Sequence, residues 1–273
     1  MNYICPICRG ALSALGTSAV CPSGHSFDRA AAGYYNLLVG RGAGNHGDNP
    51  EMLRARAAFL ESGHYSPLAT RISELVLEYT ARGGILLDVG CGEGYYTDAV
   101  ERALSLRDGE SRVLAFDISK DAARRAAKRN RNASVAVASA YAMPLADGSV
   151  DTLLNIFSPL ALPEVSRVLR VGGKFIMAFP GEEHLFGLKA AVYDTPYRNK
   201  PSDTALSGFR LLYSDSLRYE MRLVGDEIVN LFGMTPYAYR TSEAERARLY
   251  SLDTLVTEAH FNLLVYEKIG EIA

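Results

Sequence analysis

Three glycines at alternate positions, Gly90, Gly92 and Gly94, follow an apolar run that carries an acid near its end, Leu86-Leu87-Asp88-Val89. The stretch from Ile85 to Val89 reads as a buried parallel strand, because its apolar residues are continuous and do not alternate. A helical pattern runs from Tyr95 to Leu104. A strand, a glycine-rich turn and a helix N-terminus make a place where backbone approaches a ligand closely. Spacing selects the ligand. A dinucleotide fingerprint reads G-x-G-x-x-G. Here the order is D-x-G-x-G-x-G, with the third glycine one residue early. A second apolar strand, Arg112 to Asp117, ends in a carboxylate. It lies about twenty residues past the glycines, where acids in doubly wound folds hydrogen-bond ribose hydroxyls.

The chain beyond keeps alternating. Strands are expected over Ser134–Ala138, Val150–Ile156 and Lys174–Phe179, with helices over Ser119–Asn130 and Leu160–Leu169 between them. Gly172-Gly173 reads as the stop of the second of these helices. This order predicts an α/β fold with a parallel sheet and right-handed crossovers. Ser139, just past the third strand, stands where a backbone turn meets an adenine. A further helix is expected over Glu182–Val192, carrying His184. Phe209–Leu223 and Thr254–Ile269 read as the last two strands, an antiparallel pair. Ahead of the core, one helix is expected over Glu51–Ser62, with Met52, Ala55 and Phe59 on one face, and another over Pro67–Ala81.

The N-terminal segment has a different logic. Cys5-Pro6-Ile7-Cys8 is followed, after twelve residues, by Cys21-Pro22-Ser23-Gly24-His25. Two tight turns, each carrying a ligand pair, offer four tetrahedral positions to zinc, with Gly10 and Gly24 allowing the turns. So short a segment buries no core of its own, and the metal would supply its folding energy. The alternatives are a disulfide with a spare thiol, or a redox Cys-x-x-Cys. The redox pair wants a strand-to-helix context, which is absent. The aromatic run from Phe27 to Leu38 either stacks bases or packs this module onto its neighbour, and packing is favoured. These signals divide the chain into a zinc-binding module (1–38), a Gly-rich linker (39–50) and the main domain (51–273).

The net charge of −2 gives no global basic field, so any nucleic-acid footprint has to be local. Lys120, Arg124, Arg125, Lys128, Arg129 and Arg131 form a local basic cluster on one expected helix, read first as a solvated outer face. The four cysteines do not make a secreted disulfide framework. No charged-then-apolar leader and no apolar run near about 18 residues is seen, so no membrane span and a cytoplasmic location are expected.

The glycine stretch resembles the first motif of class I S-adenosylmethionine-dependent methyltransferases. Together with Cys5-Pro-x-Cys8, Cys21-Pro22, His25-x-Phe27-Asp28, Gly33-Tyr34, Asn36-Leu37-Leu38, Arg56-x-x-Phe59-Leu60, Gly63-His64-Tyr65, Gly90 to Thr97 and Met234-Thr235-Pro236, it resembles bacterial 23S ribosomal RNA guanine-N1 methyltransferases along nearly the whole chain. The resemblance implies a Rossmann-like domain with an antiparallel terminal strand, plus the zinc ribbon. It implies zinc on Cys5, Cys8, Cys21 and His25. It implies S-adenosylmethionine at Tyr65, Gly92, Glu93 and His184, beside Asp88, Gly90, Gly94, Asp117 and Ser139. A hairpin of large-subunit RNA would be the substrate and a homodimer the assembly. Asn155, Phe157 and Pro159 stand where this class of enzyme receives its acceptor, with Phe157 and Tyr65 as stacking candidates. Phe157-Ser158-Pro159 departs from the family's usual Tyr-Ala-Pro, so the exact nucleotide stays open. No general base is assigned. A small-molecule methyltransferase is the alternative, and the zinc module speaks against it.

Overall fold

The computed structural model describes residues 2–40, 49–201 and 203–270 of the chain. Three short strands, β1 (Ser13–Leu15), β2 (Ser18–Val20) and β3 (Ser26–Asp28), pair antiparallel in a small sheet of their own. Strand β4 (Tyr35–Asn36) precedes helices α1 (Pro50–Glu61) and α2 (Ser66–Tyr79). The alternating core follows: β5 (Ile85–Val89), α3 (Tyr95–Arg107), β6 (Arg112–Asp117), α4 (Lys120–Arg129), β7 (Ser134–Val137), β8 (Val150–Ile156), α5 (Leu162–Val168), β9 (Leu169–Pro180) and α6 (Phe186–Val192). The C-terminal part holds β10 (Phe209–Val224), α7 (Asp226–Gly233), a 3-10 turn (Pro236–Tyr239), α8 (Glu243–Tyr250) and β11 (Thr254–Lys268).

The eight-stranded main sheet has the order β10-β11-β9-β8-β5-β6-β7-β4. Pairs from β9 through β4 are parallel, and β11 runs antiparallel to both its neighbours. This is the expected parallel sheet closed by an antiparallel terminal strand. The central strands are apolar on both faces because both are covered. Leu86, Leu154 and Ile176 face the layer of α2, α3 and α7, while Leu87, Leu153 and Phe175 face α5 and the N-terminal residues. From β5 the chain winds outward through β6 and β7, then returns to β8 on the other side of β5. That switch opens a crevice at the carboxyl ends of β5 and β8, where ligands of wound sheets bind.

The N-terminal residues join this sheet directly. β4 extends it beyond β7, and the Leu37 N–H donates to Val137 O at 3.0 Å. The Tyr3 hydroxyl lies 2.8 Å from the carbonyl oxygens of both Ala115 and Ser134 and donates to one at a time. Tyr34, Tyr35 and Leu37 are buried, so these aromatic-run residues pack the ribbon onto the sheet, as favoured. Residues 41–48 of the expected linker lie outside the described residues.

Several local expectations are corrected. The helix before β9 ends at Val168, not at Gly172-Gly173. Gly172 (φ 76°) lies inside β9, beside a register shift against β8, and a Cβ on Gly173 would come within 3.0 Å of Asp151 O. Helix stops and strand bulges draw on the same freedom of glycine, which is why the pattern misled. Helix α6 begins at Phe186, so His184 sits in the preceding turn, where Leu185 has φ 58°. Helix α1 starts a residue early, with Asn49 capping the Met52 N–H and Pro50 in its first turn, and it buries Leu53, Phe59 and Leu60.

Candidate active site and metal centre

Gly90, Gly92 and Gly94 all adopt left-handed backbone, with φ of 73°, 56° and 82°. Their reasons differ. A Cβ on Gly90 would stand 2.6 Å from Ser158 Cβ, and one on Gly94 would stand 2.2 Å from Asn130 Nδ2 and 3.0 Å from Ala126 Cα. Those two glycines let the turn pack against the loop after β8 and against α4. Among the described residues, a Cβ on Gly92 would meet only Arg56 Nη1, at 3.8 Å, within a 4 Å radius. Unlike Gly90 and Gly94, Gly92 is not held glycine by close packing against these residues.

Carboxylates ring that space. Asp88, at 2 % exposure, accepts a 2.6 Å hydrogen bond from Thr97 Oγ1. Burial pushes its pKa up to about 6, against the hydrogen bond from Thr97 and with some help from the Asp117 charge. Asp117 accepts from the Gly92 N–H at 3.0 Å and from the Ser119 N–H at 2.8 Å. Glu93 is buried beside the turn. Ser139 follows β7 and bridges to Ala142, and its Oγ accepts from the Tyr141 N–H.

Tyr65 and His184, 119 residues apart, meet in the buried wall near the end of β9, against the middle of β11. The His260 N–H donates to His184 Nδ1 at 3.3 Å. The neutral ring then carries its proton on Nε2 and donates it to the Tyr65 hydroxyl at 3.2 Å. Burial, with the charges of Lys189 and His260, pushes the His184 pKa down to about 3. An imidazole held that low is a poor proton acceptor at neutral pH. His184 is a hydrogen-bonding group here. Phe261 of β11 stacks edge-on to Tyr65 with ring centres 4.9 Å apart and touches His184 and Phe157. No local pattern in the sequence pointed to Phe261, and only the sheet pairing brings it here.

At the end of β8, the Asn155 side chain donates to Ser158 Oγ (2.8 Å) and Pro159 O (3.3 Å), and Ser158 Oγ donates to Val89 O (2.8 Å). This clasp ties the turn to the end of β5. Phe157 is held at φ 55°, which costs a bulky residue about 1–2 kcal/mol. Its ring is 42 % exposed and leans on Tyr96 and Phe261. A strained, presented aromatic beside a ligand crevice is suited to stacking a planar group. Of the basic residues of α4, Arg124 pairs with Asp121 on the exposed side, while Arg129 pairs with Glu61 and lies over the Tyr95 ring, and Arg125 is partly buried.

The ligand atoms of Cys5, Cys8, Cys21 and His25 lie within 4.8 Å of one another. Cys8 and Cys21 sulfurs are 3.4 Å apart, and His25 Nδ1 is 3.4 Å from Cys21 Sγ and 3.6 Å from Cys5 Sγ. A disulfide needs about 2.05 Å, whereas zinc ligands at about 2.0–2.3 Å from the metal stand roughly 3.5–4 Å apart. The cluster fits zinc and excludes the disulfide. One detail departs from expectation. In the first turn the left-handed residue is Arg9 (φ 60°), not Gly10. Gly10 is needed for close approach, since its Cβ would lie 3.3 Å from Pro22 Cδ.

Both halves have known counterparts. Residues 87–177 match a methyltransferase-domain model, and residues 3–39 match the model described as "RlmA, N-terminal", a zinc ribbon. A putative 23S rRNA (guanine-N1)-methyltransferase of Micromonospora griseorubida is 36% identical over 93% of this chain and 92% of its own. The 23S rRNA (guanine(748)-N1)-methyltransferase of Streptomyces fradiae is 33% identical over 89% and 88%. The chain belongs to the 23S rRNA (guanine-N1)-methyltransferase family. A further member, the putative enzyme YxjB of Bacillus subtilis, is 31% identical over 87% of this chain and 86% of its own. In this family the methyltransferase domain uses S-adenosylmethionine, and the open face of Gly92 amid acidic groups suits a cofactor with sulfonium and ammonium charges.

The buried Asp88 gives a pH test. Its folded-state pKa of about 6 lies above the ordinary carboxylate value of about 3.9, so the folded state holds the extra proton. Asp88's own contribution to the stability of the cofactor-free protein therefore falls as pH rises from about 4 to about 6, by about 2–3 kcal/mol. Asp88→Asn removes this fall and binds the cationic cofactor more weakly. Urea unfolding of both proteins across that range checks it. A stability difference that does not change with pH would refute the assignment.

Proposed function

We propose that this chain transfers the methyl group of S-adenosylmethionine to N1 of one guanosine in a hairpin of 23S ribosomal RNA. The observation that carries this is the joining of a four-ligand cluster and a methyltransferase crevice on one sheet, in a chain matching its relatives along about nine-tenths of their length. When bound, S-adenosylmethionine supplies a methyl group already activated by its sulfonium. Gly90, Gly92 and Gly94 admit the methionine part, Asp88 and Glu93 favour its positive charges, and Asp117 holds the ribose. Ser139 meets the adenine, while Tyr65 and His184 close the wall. Phe157 stacks the extruded guanine, and Asn155 and Pro159 fix the turn that presents it. Methylation at N1 would require guanine to give up its N1 proton, and no base is assigned to that proton.

Cys5, Cys8, Cys21 and His25 hold a structural zinc, with no position left for catalysis. In this reading residues 1–38 are the zinc-binding module that helps hold RNA, 39–50 the linker and 51–273 the methyltransferase domain. The enzyme works as a homodimer. The 16-residue edge strand β10, with Leu211, Leu212 and Val224 exposed, offers a surface for a second copy. Among the described residues no helix is long and apolar enough to cross a membrane, which accords with a cytoplasmic enzyme.

The test is transfer of labelled methyl to protein-free 23S RNA, mapped by reverse transcription. N1 methylation blocks the Watson–Crick edge and should give one new stop beside a guanosine. Phe157→Ala should lower transfer about tenfold to a hundredfold, the worth of one stacked base, with cofactor affinity kept. No transfer to RNA by a protein that still binds the cofactor would favour a small-molecule acceptor.

A further inference from the structure

We infer that Arg56 is the residue that takes the α-carboxylate of S-adenosylmethionine. This rests on the reading of the glycine turn as the cofactor's methionine site. Arg56 lies on α1, three residues after Leu53 and four before Leu60, both buried, so it shares the helix face turned toward the core. Its Nη1 stands 3.8 Å from where a Cβ on Gly92 would be. A ligand group set against the Cα of Gly92 therefore comes within hydrogen-bonding reach of the guanidinium.

Charge makes the pairing specific. The amino-acid end of the cofactor carries an ammonium, with the sulfonium close by, and one carboxylate. Asp88, Glu93 and Asp117 gather around the turn, and Asp117 already accepts from the Gly92 N–H. These acids suit the two positive centres and repel the negative one. The carboxylate needs a cation within reach of the turn. Arg56 supplies it, with a planar fork that matches a carboxylate through two parallel hydrogen bonds. The position also gives a reason for the arginine of the Arg56-x-x-Phe59-Leu60 phrase to stand one turn before Phe59 and Leu60. Those two residues anchor the helix and fix where the guanidinium points.

The experiment is calorimetric titration of the full chain with S-adenosylmethionine and with decarboxylated S-adenosylmethionine, which lacks only the carboxylate. The wild type should bind the intact cofactor about tenfold to a hundredfold more tightly, the range of one charge-assisted interaction. Arg56→Ala should lose that factor for the intact cofactor and leave the decarboxylated ligand unchanged, so the preference vanishes. Arg56→Lys should restore part of it. Thermal unfolding of each variant confirms that α1 is in place. Equal weakening of both ligands by Arg56→Ala would show a structural role and overturn the inference, as would an unchanged preference. A wild type that binds neither ligand would instead remove the cofactor site itself.

Discussion

Cys8→Ser should release the zinc and reduce RNA methylation by about a hundredfold or more, while the affinity for S-adenosylmethionine falls by less than about tenfold. A structural zinc contributes about 10 kcal/mol or more of binding free energy to a small module. Serine is a poor ligand for it, and the ribbon has little else. Its own strands are three residues each, and β1 and β3 bury none of them. How far the damage spreads is decided by the seam with the sheet. Ile4 N–H donates to Pro144 O, the Tyr3 hydroxyl reaches Ala115 O and Ser134 O, and β4 pairs with β7. These contacts brace the edge of the sheet near Ser139, so some loss of cofactor affinity is expected. The glycine turn and β5 lie three strands further in and should survive. Metal content, cofactor titration and transfer to RNA on the same preparation make the check. Equal loss of cofactor affinity and methylation would sink the division into a holding module and a catalytic domain.

Gly94→Ala should destabilise the fold, whereas Gly92→Ala should chiefly abolish cofactor binding. Both residues are left-handed, so each alanine costs about 1–2 kcal/mol in backbone strain. At Gly94 the added Cβ collides with Asn130 Nδ2 and with the α4 backbone at Ala126. Asn130 Nδ2 donates to both Gly94 O (3.1 Å) and Ala126 O (3.0 Å), so the collision breaks the clasp between the turn and α4. Leaving such buried groups unpaired costs about 1–3 kcal/mol more. A total loss of about 2–5 kcal/mol is expected, at its upper end close to the low end of a domain's whole stability. At Gly92 there is no such neighbour among the described residues, and the fold should tolerate the methyl group within about 2 kcal/mol. The same methyl occupies the space left for the cofactor, and affinity should drop at least tenfold. Denaturant midpoints without cofactor, beside calorimetric affinities, separate the two cases. If Gly92→Ala unfolds the protein and Gly94→Ala does not, the roles given to these glycines are reversed.

Several features are legible in the amino-acid sequence because their causes are local. The strand ending in Asp88, the left-handed turn at Gly90, Gly92 and Gly94, and the second strand ending in Asp117 follow from apolar runs and backbone sterics within a few residues. The zinc ligands follow from spacing, since two Cys/His pairs at tight turns have few other uses. The two-faced burial of the parallel strands is of the same kind. Gly10 and Gly172-Gly173 show the limit, because a glycine's freedom serves a turn, a bulge and a close contact alike.

Other features depend on residues far apart in the chain, and only the folded sheet decided them. β11 returns to pair with β9, and this alone sets Phe261 against Tyr65, which lies beyond α1, and against Phe157, which lies beyond β8. The partnership of Tyr65 with His184 closes a loop of 119 residues, and no periodicity within either segment encodes it. Nor does any local pattern send β4 to the edge of the main sheet or bring Arg56 beside Gly92. The sequence by itself determined the elements and the backbone chemistry of the turn and the zinc knuckles, where neighbours in the chain are neighbours in space. The tertiary structure decided the aromatic wall, the seam of the ribbon and the reach of Arg56, because long-range packing chooses those partners and short-range propensity is silent about them.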